Sequence, residues 1–234
     1  MINTTVLEAK NLSRYYNRGS EVVKALHRLN LQLKQGQAIS IIGRSGSGKT
    51  TFLNQVGCLD TPTSGSLIIN GTDVTNLKEK DLVEFRRENI GFIFQLFYLF
   101  PTINVYENVE LPLLFAKKRN RHKVMEVLEI VGLTAKQHLL PKQLNGGDMQ
   151  RVAIARALIN NPKILLADEP TGRLEKNEKE PIMNLFTKLK NEGLAIIIAT
   201  HDLEQAKYCD LIYELKDGQI IAEHSKVEGI KLKG

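Results

Sequence analysis

Cysteine is scarce in this 234-residue chain, with only Cys58 and Cys209, far apart and in no Cys-x-x-Cys pair. That excludes a disulfide scaffold or a cysteine-rich zinc module and fits a reducing, cytoplasmic setting. Long apolar runs are missing too. The greasiest stretches, such as residues 194–199, fall far short of the roughly 20 residues that span a bilayer. With a mean hydropathy of −0.19, the chain does not read as a membrane protein in itself. Its first residues lack a basic segment followed by an apolar stretch, so no secretion is expected. Charge of one sign is also in short supply: 32 Lys and Arg face 26 Asp and Glu, a net +6 spread along the chain. On charge alone such a mild surplus favours only a solvated surface and leaves nucleic acid or anionic lipid headgroups open as partners; the chain's motifs point to no nucleic-acid partner. A chain of this length can bury roughly 70 to 75% of its unfolded surface, so its core needs no covalent or metal staple.

What is present is an ordered alternation. Residues 6–12 and 22–33 alternate like half-buried strands, and residues 38–42, Ala-Ile-Ser-Ile-Ile, read as a buried one. A glycine-rich interruption at 43–48 leads into apolar residues at helical spacing over 50–57. A hairpin-like piece at 66–70 ends in Asn70-Gly71, then come a charged helical stretch at 78–88 and a short strand at 90–94. Residues 104–160 read as mainly helical, with breaks at Pro112, Pro141 and Gly146-Gly147. Strands at 164–167, 195–199, 211–215 and 219–222 alternate with helices at 178–190 and 203–208. This order predicts an α/β fold with a mostly parallel sheet. The natural division is one domain: an α/β core at 1–95 and 161–222, a helical insert at 96–160, and a frayed tail at 223–234.

Two segments carry chemistry on their own. Gly43, Arg44, Ser45, Gly46, Ser47, Gly48, Lys49 and Thr50 fit G-x-x-x-x-G-K-[ST], with Thr51 following. Glycines are required because successive backbone N–H groups must turn inward around phosphate oxygens, and the helix behind them adds its positive dipole end. Lys49 would reach the β/γ-phosphates and the Thr50 hydroxyl would bind Mg²⁺. Residues 164–169, Ile-Leu-Leu-Ala-Asp-Glu, form a buried strand ending in two carboxylates, where the C-terminal edge of a parallel sheet meets its ligand. Asp168 would hold Mg²⁺, directly or through water. Glu169 would polarise the attacking water of a phosphoryl transfer.

Gln95, the segment Leu144-Asn145-Gly146-Gly147-Asp148-Met149-Gln150-Arg151 and His201 complete a pattern with these two. In their order along residues 6–222 the chain resembles the nucleotide-binding subunit of an ABC transporter. The resemblance implies the ABC ATPase fold: a P-loop core, an N-terminal antiparallel β part and a helical insert carrying the signature. It implies ATP and Mg²⁺ as ligands, Gln95 touching Mg²⁺ and the water, and His201 contacting the γ-phosphate. Tyr16 matches the ring that stacks on adenine, with Tyr15 as the alternative. The signature, Asn145, Gly146 and Gly147, would act in trans, covering the ATP on the P-loop of a second copy packed head to tail. Asn145 stands where the family has Ser, and Glu175 where it has Asp. These departures are either tolerated or a brake on turnover.

Residues 57–60, 92–95 and 107–113 resemble the branch serving lipoprotein release, macrolide and peptide export or resistance, and cell-division signalling. That implies an integral membrane partner and a place at the inner face of the cell membrane. A slow, ATP-gated binding module in a non-transport role is the alternative. No Asn-Lys-x-Asp guanine reader occurs, which argues against a GTPase. Lys49, Gln95 and Asn145 follow too closely for the long insertions of DNA-repair ABC proteins. Cys58 reads as a small packing residue without an adjacent base. Finally, residues 96–101, Leu-Phe-Tyr-Leu-Phe-Pro, are apolar where a surface loop is expected. Either the run packs the insert onto the core, or Tyr98 and Leu99 face solvent in a groove for the membrane partner.

Overall fold

The structure, a computed structural model, describes residues 4–225. β1 (Thr5–Arg18) and β2 (Glu21–Lys34) form a long hairpin, extending both strands expected from the sequence. β3 (Ala38–Ile42) leaves for a second sheet and feeds the glycine loop and α1 (Lys49–Val56). The chain then returns with β4 (Ser64–Ile69), which pairs with the other side of β1. Asn70 and Gly71, at φ 49° and 77°, turn it into the short β5 (Thr72–Asp73), as an Asn-Gly pair favours. α2 (Glu79–Asn89) and β6 (Ile90–Ile93) follow. The helical insert comprises α3 (Val105–Phe115), α4 (Arg121–Ile130), two single 3₁₀ turns and α5 (Gly146–Leu158). β7 (Ile164–Asp168), α6 (Lys176–Asn191), β8 (Ala195–Thr200), α7 (Leu203–Ala206), β9 (Leu211–Lys216) and β10 (Gln219–Ser225) complete the described chain. Glu223, His224 and Ser225, expected in the tail, thus extend the last strand by pairing with β9. The rest of the expected tail, from residue 226, lies outside the described residues.

The first sheet runs β2-β1-β4-β5 and is antiparallel. The second runs β10-β9-β3-β8-β7-β6, parallel except for the edge strand β10. Burial on both faces explains the unbroken apolar run of β8, Ala-Ile-Ile-Ile-Ala-Thr, every residue of which is buried. Period-two geometry then sorts its neighbours. Ile39, Ile41, Leu166 and Ile197 join the core shared with the antiparallel sheet and α1. Leu165, Ala167, Ile196 and Ile198 join the core formed with the helical insert and α6.

Pro112, expected to break the insert, instead lies inside α3. The helix is secured at its start by a capping box in which Asn104 accepts from the Glu107 N–H and Glu107 accepts from the Asn104 N–H. The fully buried Asn108 side chain, one turn before the proline, adds three donor contacts to the carbonyls of Phe100, Ile103 and Asn104 and accepts from the Phe100 N–H. That network fixes the first turn of α3 to the preceding loop, while Pro112 removes only the donor that the Asn108 carbonyl would otherwise receive.

Candidate active site

Parallel register brings the C-terminal ends of β3, β8 and β7 side by side, with Ile42 opposite Thr200 and Asp168 opposite Ala199. The glycine loop leaves β3 at this edge. Gly48 caps α1 at φ 109°, and a Cβ there would strike the Ala25 carbonyl, so only glycine fits. No side chain caps α1 and no acid stands in its first turn, which leaves its positive end available to an anion. The Lys49 ammonium is folded into the loop, donating to the carbonyls of Gly43 at 2.8 Å and Arg44 at 3.1 Å. Ser47 Oγ is buried there with no hydrogen-bond partner.

The Thr50 hydroxyl donates to Asp168 Oδ2 at 3.1 Å, joining α1 to the end of β7. Burial raises the Asp168 carboxyl above its ordinary value, opposed by the Thr50 hydrogen bond; Glu169 adds to the rise and Lys49 opposes it. A hydroxyl and a half-buried carboxylate are hard oxygen donors of the kind Mg²⁺ takes. Among the described residues there is no group of three His, Cys, Asp or Glu that could hold a metal by itself. A cation at this point therefore has to complete its shell with water or substrate oxygens, as Mg²⁺ at phosphate sites does.

Glu169 adopts φ 46°, a left-handed conformation that costs a non-glycine residue about 1 kcal/mol or more. Its surroundings hold it there. Its N–H donates to the Ala199 carbonyl at 2.8 Å, and its carbonyl accepts from Gly172 at 3.0 Å. The carboxylate accepts from Thr200 Oγ1 at 3.0 Å and from the His201 N–H at 3.0 Å, and lies 2.7 Å from His201 Nδ1. The exposed Gln95 stands beyond β6, its amide beside Gly172 of the loop that follows Glu169.

One cleft of about 1070 Å³ is lined by Arg44, Ser45, Gly46, Gly48, Lys49, Thr50, Thr51, Gln95, Asp168, Glu169 and His201. The structure thus gathers residues from four separate stretches of sequence. Val22, Val23, Lys24, Ala25 and Asp217 complete the wall and were not anticipated. The sequence held a signal for two of them, since the adjacent Val22 and Val23 break the polar/apolar alternation of their strand; both prove exposed, at 57% and 43%. Tyr16 pairs with Val23 across the hairpin but is not in the cleft wall. Its hydroxyl donates to Asp60 Oδ2 at 2.6 Å, and the Arg14 guanidinium sits 4.6 Å from its ring centre. Asn145, Gly146 and Gly147 also stand outside the cleft wall, at the N-terminus of α5. There the Asn145 Oδ1 caps the helix, accepting from the Asp148 N–H at 2.7 Å. Glu175 takes the cap position of α6.

Comparison with known proteins agrees with this geometry. The family model described as ABC transporter matches residues 26–172. An ABC transporter ATP-binding protein of Bacillus subtilis, YknY, is 43% identical over 94% of this chain and 97% of its own. The macrolide export ATP-binding/permease protein MacB of Sodalis glossinidius is 40% identical over 95% of this chain, which spans 34% of that longer protein. Among solved structures, the dimeric post-hydrolysis state of the ATP-binding cassette MJ0796, bound to ADP and Pi, superposes with a TM-score of 0.85 at 43% identity, covering 94% of this chain and 98% of that one. MJ0796 comes from Methanocaldococcus jannaschii. The phosphate loop, the Asp-Glu strand end and these likenesses converge on one assignment: the chain belongs to the ABC transporter family, as one of its ATP-binding ATPase cassettes.

Proposed function

We propose that the chain hydrolyses Mg-ATP in a head-to-tail dimer and thereby drives an integral membrane partner of the lipoprotein-release, macrolide-export or peptide-export type. The observation that carries the reading is the convergence of Lys49, Thr50, Asp168, Glu169 and His201 on one cleft at the strand ends. In this reading Thr50, Asp168 and Gln95 hold Mg²⁺, which supplies neutralising charge to the phosphates. The backbone N–H groups of residues 43–51 receive the phosphate oxygens. Lys49 gives up its two loop carbonyls to reach the β/γ-oxygens. The Glu169 carboxylate leaves His201 to take a proton from the attacking water, and the freed imidazole turns to a γ-phosphate oxygen. Tyr16, carried beside Val23, offers its ring to adenine.

The second copy supplies Asn145, Gly146 and Gly147, which lie outside the cleft of their own chain. Residues 96–160 act as the signature subdomain of a single ATPase domain. The membrane partner docks on that subdomain and keeps the chain at the inner face of the membrane. None of the helices among the described residues is long and apolar enough to cross it. MacB, a relative whose name joins ATP-binding and permease functions, supports the export reading.

Light scattering on purified protein tests the core of this proposal. Glu169→Gln is expected to accumulate an ATP-bound dimer, because the chemistry fails after closure, whereas Lys49→Ala loses ATP binding. A Glu169→Gln protein that stays monomeric at saturating Mg-ATP contradicts the proposal.

A further inference from the structure

The N-terminus of α5 already holds an anion belonging to the chain itself. Glu178, in the first turn of α6, places Oε1 3.0 Å from the Gly147 nitrogen, whose N–H donates to it. Its other oxygen accepts from the Glu175 N–H at 3.2 Å. Glycine at 146 and 147 leaves the room: a Cβ at Gly146 would lie 3.1 Å from Glu178 Oε2, and one at Gly147 3.3 Å from Oε1. The next free donor of the helix, the Asp148 N–H, is taken by Asn145, and the Asp148 carboxylate pairs with Lys136. The end of α5 therefore differs from the uncapped, acid-free end of α1, which is open to phosphate.

We infer that Glu178 is an intramolecular gate on the signature helix: its carboxylate occupies the donor that the γ-phosphate on the second copy needs, and must be displaced for the ATP-filled dimer to close. This inference rests on the head-to-tail reading above. Two negative groups compete for one N–H and one dipole end, and the resident group is tethered to both α5 and α6. Closure therefore includes the cost of moving Glu178 aside, and the gate weakens dimerisation without touching the same chain's own nucleotide cleft. Glu178 is a positioning residue here, acting through α5 rather than on the reacting atoms.

Glu178→Gln keeps an acceptor oxygen and removes the charge, and Glu178→Ala removes both. Each is placed in the Glu169→Gln background, and three quantities are compared with the parent: ATP binding by dilute monomer, the Mg-ATP concentration for half-maximal dimer, and the melting temperature. The gate predicts unchanged monomer binding, and a dimer formed at about fivefold lower ATP or less, consistent with losing one charge contact at a helix end. It also predicts a slightly lower melting temperature, since a favourable charge–dipole contact is lost. A purely structural Glu178 would move stability and dimerisation in the same, unfavourable direction. If the parent dimerises and the Gln variant needs as much ATP or more, the gate is refuted while the head-to-tail reading stands. If neither parent nor variants dimerise although both bind ATP, the head-to-tail reading falls and takes the gate with it.

Discussion

The Cys58 thiol is pushed up to about 11 by burial, with Arg86 opposing the rise. Unfolded, the same thiol ionises near 9.0. The protonated form is thus favoured by the fold, and the associated stability is complete below pH about 9 and lost as the pH rises toward 11. At pH 8 the native protein should therefore resist iodoacetamide at Cys58 and react there only with denaturant present; rapid labelling of folded protein, read by mass spectrometry, would contradict this. Cys58 is buried, as the packing residue expected from its sequence, but it sits past the end of α1 at φ 51° with its carbonyl held by Arg86. At this scale, legibility depended on how local the constraint was. The glycine loop was readable because eight consecutive residues encode its shape. The hold of Thr200 and His201 on Glu169 was not, because it spans more than thirty positions and a strand register.

Among elements, α5 has a second role as an anchor for the segment after β6. Arg156 donates to the Tyr98 carbonyl at 2.6 Å and the Phe97 carbonyl at 2.9 Å, and its burial lowers the guanidinium's pKa from the usual value. Arg156→Met keeps length and apolar stem but orphans both carbonyls, a loss of about 1–3 kcal/mol. The expected outcome is a lower urea midpoint together with new proteolytic cleavage within residues 96–101; an unchanged midpoint would show the tie to be dispensable. Strands and helices themselves were visible in hydrophobic period, which depends on faces rather than partners. What period could not show was that Pro112 would remain inside α3, a helix whose start is tied by Asn108 to the preceding loop. Nor could it sort residues 96–100. Phe97 and Leu99 pack on the core, whereas Leu96, Tyr98 and Phe100 are exposed at 39%, 60% and 53%. Leu99, expected under the groove reading to face solvent with Tyr98, instead turns inward beside Phe97, while the backbone between them passes through a left-handed turn at Tyr98, φ 45°.

For the molecule as a whole, that division confines the groove reading of the aromatic run to its outward residues. The inward members fasten the insert, and the outward ones leave an apolar surface that we assign to the membrane partner. Tyr98→Ser should accordingly leave the melting temperature and ATP binding of the isolated chain within error, yet reduce co-purification with the membrane partner by about tenfold, the loss of one buried aromatic anchor. Normal co-purification, or loss of ATP binding, would return the residue to the core. The parallel sheet divides the interior in a similar way. Ile197 and Ile198 are joined by a peptide bond, yet one serves the core of the antiparallel sheet and the other that of the helical insert. Truncating both should therefore give nearly the sum of two separate losses, so that the closest of neighbours in the chain behave, thermodynamically, as strangers.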